Sequence, residues 1–387
     1  METASPRDVG VDSERVDHFF RTVERQIEDK WLFGGSFLIA RRGKVVAAKG
    51  VGFADAERRR ALKPDDIYCI FSTSKPIVST LLLMRVDRGE VRLIDKVGEL
   101  IPEFAVAGKH NITLAQLLTH TAGFPNLPLD WAQPQWADWD GTIARICAQP
   151  LEYEPGTAVH YHALTAHWIM AELVRRLDGG KRTFAEICAA DLYGPLRMKD
   201  SHMGVRKDMR ERLVPLKALD TESVPFPLAF LEAFDAAELQ AAAIPGGGSR
   251  STIFDLARFY QMWLNGGELD GVRLLSPAIV DLATTIHTGE MEDRLFEVLR
   301  VMNGWPHIPA NRGLGFWLRG RGIFPSFFGT VATPRTFGHA GASSIMAWAD
   351  PGRDLVFIGL TAGLIDEARS IVRWHQLSDL AQACVVD

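Results

Sequence analysis

The chain has 387 residues, 47% of them hydrophobic and 24% charged, with a formal net charge of -5. That composition excludes a disordered or fibrous chain and allows a sizeable core, either as two to three average domains or as one large enzyme domain with an inserted lobe. A net negative chain has no long-range attraction for nucleic acid or an anionic membrane, so a small-molecule site is the expectation.

In chain order, METASPRDVGVDSERVDHFF lacks the basic start and apolar h-region of a secretory signal, and the longest apolar run, LVFIGLTAGLI, is too short to span a bilayer. The expected location is cytoplasmic, with no membrane partner. VDSERVDHFFRTVERQIEDK has helical period, with Asp12 or Ser13 as cap and Val16, Phe19, Phe20, Val23 and Ile27 on one face. GSFLIARRGKVVAAKGVGFAD reads as two strands joined at Arg-Arg-Gly, a β-hairpin by its punctuation.

From about residue 71 to 314 the pattern is mainly helical: STLLLMRVDRGE, TLAQLLTH, TAHWIMAELVRRL, TFAEICAADLY and STIFDLARFYQMWLNGG. Between these helices lie FPNLPLDWAQPQWADWDG, VPFPLAFLEAFDAAE and NGWPHIPANRGLGFW, rich in proline and aromatics, as site-lining loops often are. Within them Trp131, Trp136 and Trp139 are candidates for loop core or for a substrate wall. Near the C-terminus SSIMAWADPGRDLVFIGLTAG repeats the hairpin, and IDEARSIVRWHQLSDLAQAC supplies a closing helix. The expectation is a single catalytic unit of mixed α/β class. An antiparallel sheet from about 12–70 and 315–385 is flanked by the terminal helices and carries the helical lobe of about 71–314.

Four cysteines, Cys69, Cys147, Cys188 and Cys384, stand far apart without metal-ligand spacing and read as buried thiols. No serine has glycine at both flanking positions of a G-x-S-x-G elbow, and the pair His160 and His162 has no carboxylate at helical spacing. No metal and no cofactor is expected. The remaining chemical signal is IFSTSKPIVST, where Ser72 and Lys75 stand three apart at the start of an apolar run. Such spacing puts an amine within one helical turn of a hydroxyl, at a helix start whose free N–H groups suit a developing oxyanion. Alone it decides nothing, since one Ser-x-x-Lys is expected by chance roughly once in a chain of this size.

Downstream of FSTSKP follow RLIDKVGELIPEF, ITLAQLLTHTAGFP, EPGTAVHYHALTAHWIMAELV, IPGGGSRSTIFDLARFYQMWLNGG, GLGFW and FGHAGASSIMAWADPGRDLVFIGL. In this order they resemble the serine β-lactamase-like superfamily, most of all the class C β-lactamases and the family VIII carboxylesterases, over about residues 12–375. The resemblance implies a β-lactamase/transpeptidase-like fold. It also implies Ser72 as the acylated serine, Lys75 as the lysine that helps deprotonate it, and Tyr161 as the tyrosine that shares the proton. His339-Ala340-Gly341 matches the Lys-Thr-Gly strand motif, and the N–H groups of Ser72 and Ala342 would form the oxyanion hole. A cationic Lys75 beside Tyr161 would favour a tyrosinate as base. His120 of LLTHTAGF is expected to be architectural, and Gly246, Gly247 and Gly248 to form a tight turn beside the cleft.

One departure bears on substrate. Where the lactamase pattern has asparagine two residues after the tyrosine, this chain has Ala163, which offers no side-chain amide to a substrate's acylamino group. The expected function is therefore a carboxylesterase acting on small-molecule esters. The alternatives on the same scaffold are a β-lactamase, a D-amino-acid peptidase, an amidase, a transesterase and a non-catalytic acylated sensor.

Overall fold

The computed structural model describes every residue except 127–132, 221, 224–226 and 343. A seven-stranded sheet carries the architecture, with strands β1 (Glu2–Thr3), β2 (Gly34–Arg41), β3 (Lys44–Gly52), β9 (Trp317–Leu318), β10 (Phe337–Gly341), β11 (Ile345–Asp350) and β12 (Leu355–Ala362) in the order β1-β3-β2-β12-β11-β10-β9. The β2–β3 connection is the two residues Arg42 and Gly43, at φ 51° and 72°. Positive φ at both positions gives the mirror-image turn whose twist matches that of paired strands. Two further small sheets, β4 (Tyr68–Cys69), β5 (His202–Met203) and β6 (Ser249–Ser251) in one and β7 (Glu268–Leu269) with β8 (Val272–Arg273) in the other, lie outside the main one.

Both faces of the sheet are covered, which is why β12 reads LVFIGLTA and is buried at all eight positions. Side chains alternate across a strand, so one set of residues faces each layer. Phe357 and Leu355, with Phe37, Ile39, Met346 and Trp348, join the core under the terminal helices α1 (Ser13–Glu28) and α8 (Glu367–Ala383). Val356, Ile358 and Leu360 join the other core, with Leu38, Ile345 and Ala347, under the helical lobe. An apolar run that exceeds ordinary strand alternation is thus a central strand. Among the described residues no helix is long and apolar enough to cross a membrane.

In α1 the sequence pattern is realised closely: Val16, Phe19, Phe20 and Val23 are buried, and Asp12 Oδ1 accepts from the N–H groups of Glu14 and Arg15 at 2.8 and 3.2 Å. The lobe contains α2 (Ser74–Asp87), α3 (Leu114–Leu118), α4 (Trp139–Ala148), α5 (Thr165–Leu177), α6 (Ile253–Leu264) and α7 (Arg294–Asn303). Every residue of α2 from Ser74 to Arg85 is buried, as for a helix enclosed on all sides.

One feature differs from the sequence expectation. The sheet is mixed, because β1 runs parallel to β3 from a segment ahead of the expected sheet boundary. The stretch 71–314 also holds β5 to β8 and a π-helical turn over Cys188–Tyr193 among its helices. Strands of two or three residues are too short for a period of two to register. Trp131 lies outside the described residues, whereas Trp136 packs on Phe230 and Phe234 at 5.2 and 5.9 Å, and Trp139 packs on Trp168 at 4.7 Å. All four cysteines are buried free thiols.

Gly359 on β12 tests the packing between sheet and terminal helix, because a Cβ there would come 2.5 Å from the Trp374 ring of α8. Overpacking of this kind costs about 1–3 kcal/mol. Gly359→Ala should lower the urea midpoint by a corresponding amount with little change in the slope of the transition; an unchanged midpoint would show that the Trp374 ring moves aside freely.

Candidate active site

Between Asp66 and Arg85 the chain is buried at every residue but Ser72, which is half-buried. The backbone leaves β4, turns through Phe71 at φ 42°, and enters a 3-10 turn over Phe71–Thr73 that runs directly into α2. A left-handed aromatic residue is unusual and costs of order 1–2 kcal/mol. Here it brings the next side chain to the cleft, while the Phe71 ring packs on Phe234 at 5.5 Å.

Lys75 follows one turn later with no exposed surface, and its Nζ lies 2.9 Å from Ser72 Oγ, 2.6 Å from Ala163 O and 2.8 Å from Gly246 O. Three segments distant in sequence therefore meet at one nitrogen. The glycine turn at 246–248 is closed by Gly247 and Gly248 N–H groups donating to Ile244 O, and its role beside the cleft is to present a carbonyl. Burial holds the Lys75 amine well below the ordinary lysine value.

Tyr161 is 5% exposed, its ring 5.0 Å from Lys75 Nζ and 4.8 Å from the His120 ring. Burial drives the phenol above the usual tyrosine range, with the Ser72 hydroxyl and then Arg312 acting the other way. This reverses the expected electrostatics. A cationic lysine beside a tyrosinate is not what the environment favours; desolvation penalises both charges and favours a neutral amine beside a neutral phenol. His120, at φ 60°, accepts from the His162 N–H through Nδ1 at 3.1 Å, so its architectural role is to hold the segment that carries Tyr161.

Strand β10 closes the other side. Thr73 Oγ1 donates to His339 O at 3.2 Å, and Gly341 passes so near that a Cβ would lie 2.5 Å from Ile70 O. Only glycine permits that approach, and it brings the strand end, with half-buried Ala342, to the Ser72 turn. The His339 imidazole is 1% exposed, donates through Nδ1 to Ala340 O at 2.6 Å, and packs on Trp317 at 4.5 Å. Burial, and then the neighbouring Lys75, keep it well below the ordinary histidine value, so it carries no charge near neutrality.

Three residues near this site were not singled out by the sequence. Trp317 stacks edge-on to Tyr161 at 5.7 Å, and the Arg312 guanidinium lies 4.5 Å from the Trp317 ring and 6.0 Å from that of Tyr161. Arg312 is paired with Asp293, both nearly fully buried. The only hint was that Arg312 and Trp317 fall in NRGLGFW; Asp293 had none, since pairing across nineteen residues of sequence leaves no local signature.

The fold and a serine with a buried lysine one turn away define a serine hydrolase of the β-lactamase fold. Residues 19–382 match the Beta-lactamase family model, and the chain belongs to that family. It is 26% identical over 348 residues to the esterase/β-lactamase LipL of Mycobacterium tuberculosis, covering 84% of this chain and 76% of LipL. A penicillin-binding protein homologue from Caulobacter crescentus superposes with a TM-score of 0.79 at 29% identity, over 97% of this chain and 99% of that one. A family VIII carboxylesterase shares the fold with a TM-score of 0.77 at 24% identity, over 97% and 99% of the two chains.

The lowered Lys75 value has a kinetic signature. If Ser72 gives its proton to Lys75, the rate rises with pH only as Lys75 loses its own proton, and the lowered Lys75 value moves that rise to lower pH. Acylation by a non-ionising ester should therefore level off well before the ordinary lysine value of about 10.4, and the raised Tyr161 value adds no break below that of free tyrosine. A rate still climbing tenfold per pH unit up to about 10 would mean that Lys75 titrates as if in water.

Proposed function

We propose that the protein is a carboxylesterase that hydrolyses small carboxylic esters through an acyl-enzyme on Ser72. The observation that carries this reading is the set of partners around Lys75 Nζ. A neutral amine has two N–H donors and one lone pair. Nζ donates to the carbonyls of Ala163 and Gly246 at 2.6 and 2.8 Å and to Ser72 Oγ at 2.9 Å; once the amine is deprotonated, the two carbonyls keep its two donors and the lone pair is left facing Ser72 Oγ.

In this mechanism Ser72 Oγ passes its proton to Lys75 Nζ and attacks the ester carbonyl. The oxyanion is met by the N–H groups of Ser72 and Ala342, a type of contact whose loss costs about 10²–10³ in kcat. Collapse breaks the bond to the alcohol oxygen, which takes a proton from Tyr161, and Lys75 returns its proton to Tyr161. Water then attacks the acyl carbonyl by the same route, its proton passing to Lys75. Collapse breaks the bond to Ser72 Oγ, which takes that proton back from Lys75, and the carboxylic acid leaves with the enzyme restored. No step requires a metal or a redox group.

The ester preference rests on what His339 and Ala163 lack. A β-lactam carboxylate is best held by a fixed cation, and His339 is buried and neutral; Ala163 has no amide for an acylamino group. Each missing polar contact is worth about 1–3 kcal/mol. LipL, whose name joins esterase and β-lactamase, supports the acyl chemistry without deciding between substrates.

Fluorophosphonate labelling with peptide mapping should find Ser72, and Ser72→Ala should lose about three or more orders of magnitude in turnover. Label on another serine would overturn the nucleophile. For substrate class, kcat/KM for p-nitrophenyl acetate or butyrate should exceed that for a penicillin and a cephalosporin by at least about tenfold, the worth of one lost contact. The opposite order would promote the β-lactamase or peptidase alternatives. A single stoichiometric burst without turnover would promote the sensor.

A further inference from the structure

The segment 160–164, which carries Tyr161 and the Ala163 carbonyl, belongs to no helix or strand. Its main-chain polar groups must find partners elsewhere. Side chains from the stretch after α3 supply them. His120 Nδ1 accepts from His162 N at 3.1 Å, and the Asn126 carboxamide bonds both peptide groups that flank His162. Asn126 Nδ2 donates to Tyr161 O at 3.0 Å, and Asn126 Oδ1 accepts from Ala163 N at 2.6 Å.

We infer that Asn126 is a positioning residue for the acyl-transfer reaction, holding Tyr161 and the Ala163 carbonyl in register with Lys75 and Ser72. A carboxamide has one donor end and one acceptor end in a fixed plane, so a single side chain fixes the order and spacing of a C=O and an N–H two residues apart. The residue between those two groups is His162. The first bonded residue carries the phenol that lies over Lys75, 5.0 Å from its Nζ to the ring, and the second carries the carbonyl that takes a Lys75 proton at 2.6 Å. A rotation of the 161–163 backbone would move both at once. Misplacement by about 1 Å in such a constellation can cost on the order of 10²-fold in rate.

The departure at Ala163 acquires a second meaning. An amide does stand at this corner of the site, but it arrives from residue 126 and both its ends are committed to main chain. It therefore acts on the protein's own proton carriers and not as an anchor for an acylamino group. His120 shares the task from the other side, with its left-handed φ of 60° and its own carbonyl accepting from His160 N at 3.0 Å.

The inference rests on the acyl-Ser72 reading, and the test separates the two. In the native chain, fluorophosphonate labelling of Ser72 reports on that reading alone; if Ser72 does not label, the function fails before Asn126 is examined. Where it labels, Asn126→Ala should lower kcat for p-nitrophenyl acetate by about 10²-fold, with KM changed by less than about threefold. In a Tyr161→Phe background the same substitution should cost under about fivefold, because residues that act through one another are strongly non-additive.

Thr165→Val is the structural control. It removes the Thr165 Oγ1 bond to Pro125 O at 3.1 Å, which ties the same two segments without touching residues 161 or 163. It should shift the melting temperature while leaving kcat within about twofold. Should Asn126→Ala fail to fold, Asn126→Asp, which keeps the acceptor for Ala163 N and loses the donor to Tyr161 O, is read in the same cycle. Equal fold-losses from the Asn126 substitution in the native and Tyr161→Phe backgrounds, or a kcat loss in Thr165→Val as large as in Asn126→Ala, would reduce Asn126 to a general stabiliser of the loop and overturn the proposal.

Discussion

A primary amine enclosed in the protein interior is the constraint to which this site is fitted. Lys75 sits on α2, a helix buried all round, and a charge there would face a desolvation cost that no nearby carboxylate offsets among the groups acting on it. The amine remains soluble in the interior because its partners are oxygens at hydrogen-bond distance: the Ser72 hydroxyl, the Ala163 carbonyl and the Gly246 carbonyl. Each comes from a separate segment. To satisfy one nitrogen the fold must bring the end of β4, the irregular stretch before α5 and the glycine turn before β6 to a single point, and that convergence builds the candidate site.

The sheet makes the convergence rigid. Because both faces are covered, β10 is fixed in the plane by β11 and by β9, with Phe337 opposite Ala349 and Leu318. Its approach to the Ser72 turn is then set by backbone and not by a side chain that could relax, since Thr73 bonds the His339 carbonyl and Gly341 has no Cβ to hold Ile70 away. The two cores also divide the labour. The lobe-side core surrounds α2 and so desolvates Lys75, while the terminal-helix core reaches Tyr161, Trp317 and Ala340 at the other wall.

Much of this was legible in the sequence, for a physical reason: information carried by local periodicity or by a fixed short spacing survives in one chain. The two hairpins, the capped helix at Asp12, the closing helix and the one-turn spacing of Ser72 and Lys75 are of that kind. Order of motifs placed Tyr161 and the His339–Gly341 strand. What escaped was long-range. The clamp from Asn126 spans about forty residues, the Arg312–Asp293 pair joins two loops, and the strands β4, β5 and β6 are too short to show alternation. The proton state of Tyr161 escaped differently. Sequence offered a neighbouring cation, which lowers a phenol's pKa, but could not give the depth of burial, which raises it more.

Burial also explains why the backbone strain lies where it does. Phe71 and His120 are both left-handed without being glycine, and each costs of order 1–2 kcal/mol that ordinary packing would avoid. Phe71 directly precedes Ser72; His120 holds the segment of Tyr161. In both cases the side chain is buried among aromatic rings, Phe71 against Phe234 and His120 against Tyr161, so that relaxing the backbone would withdraw a ring from its contacts. The strain is thereby locked by packing on either side of Ser72, and Lys75 and Tyr161 are held beside it by the fold itself. An enzyme that carries its proton acceptor already desolvated does not have to strip water from it during turnover, and the stability forgone at these residues is recovered in the two cores that enclose them.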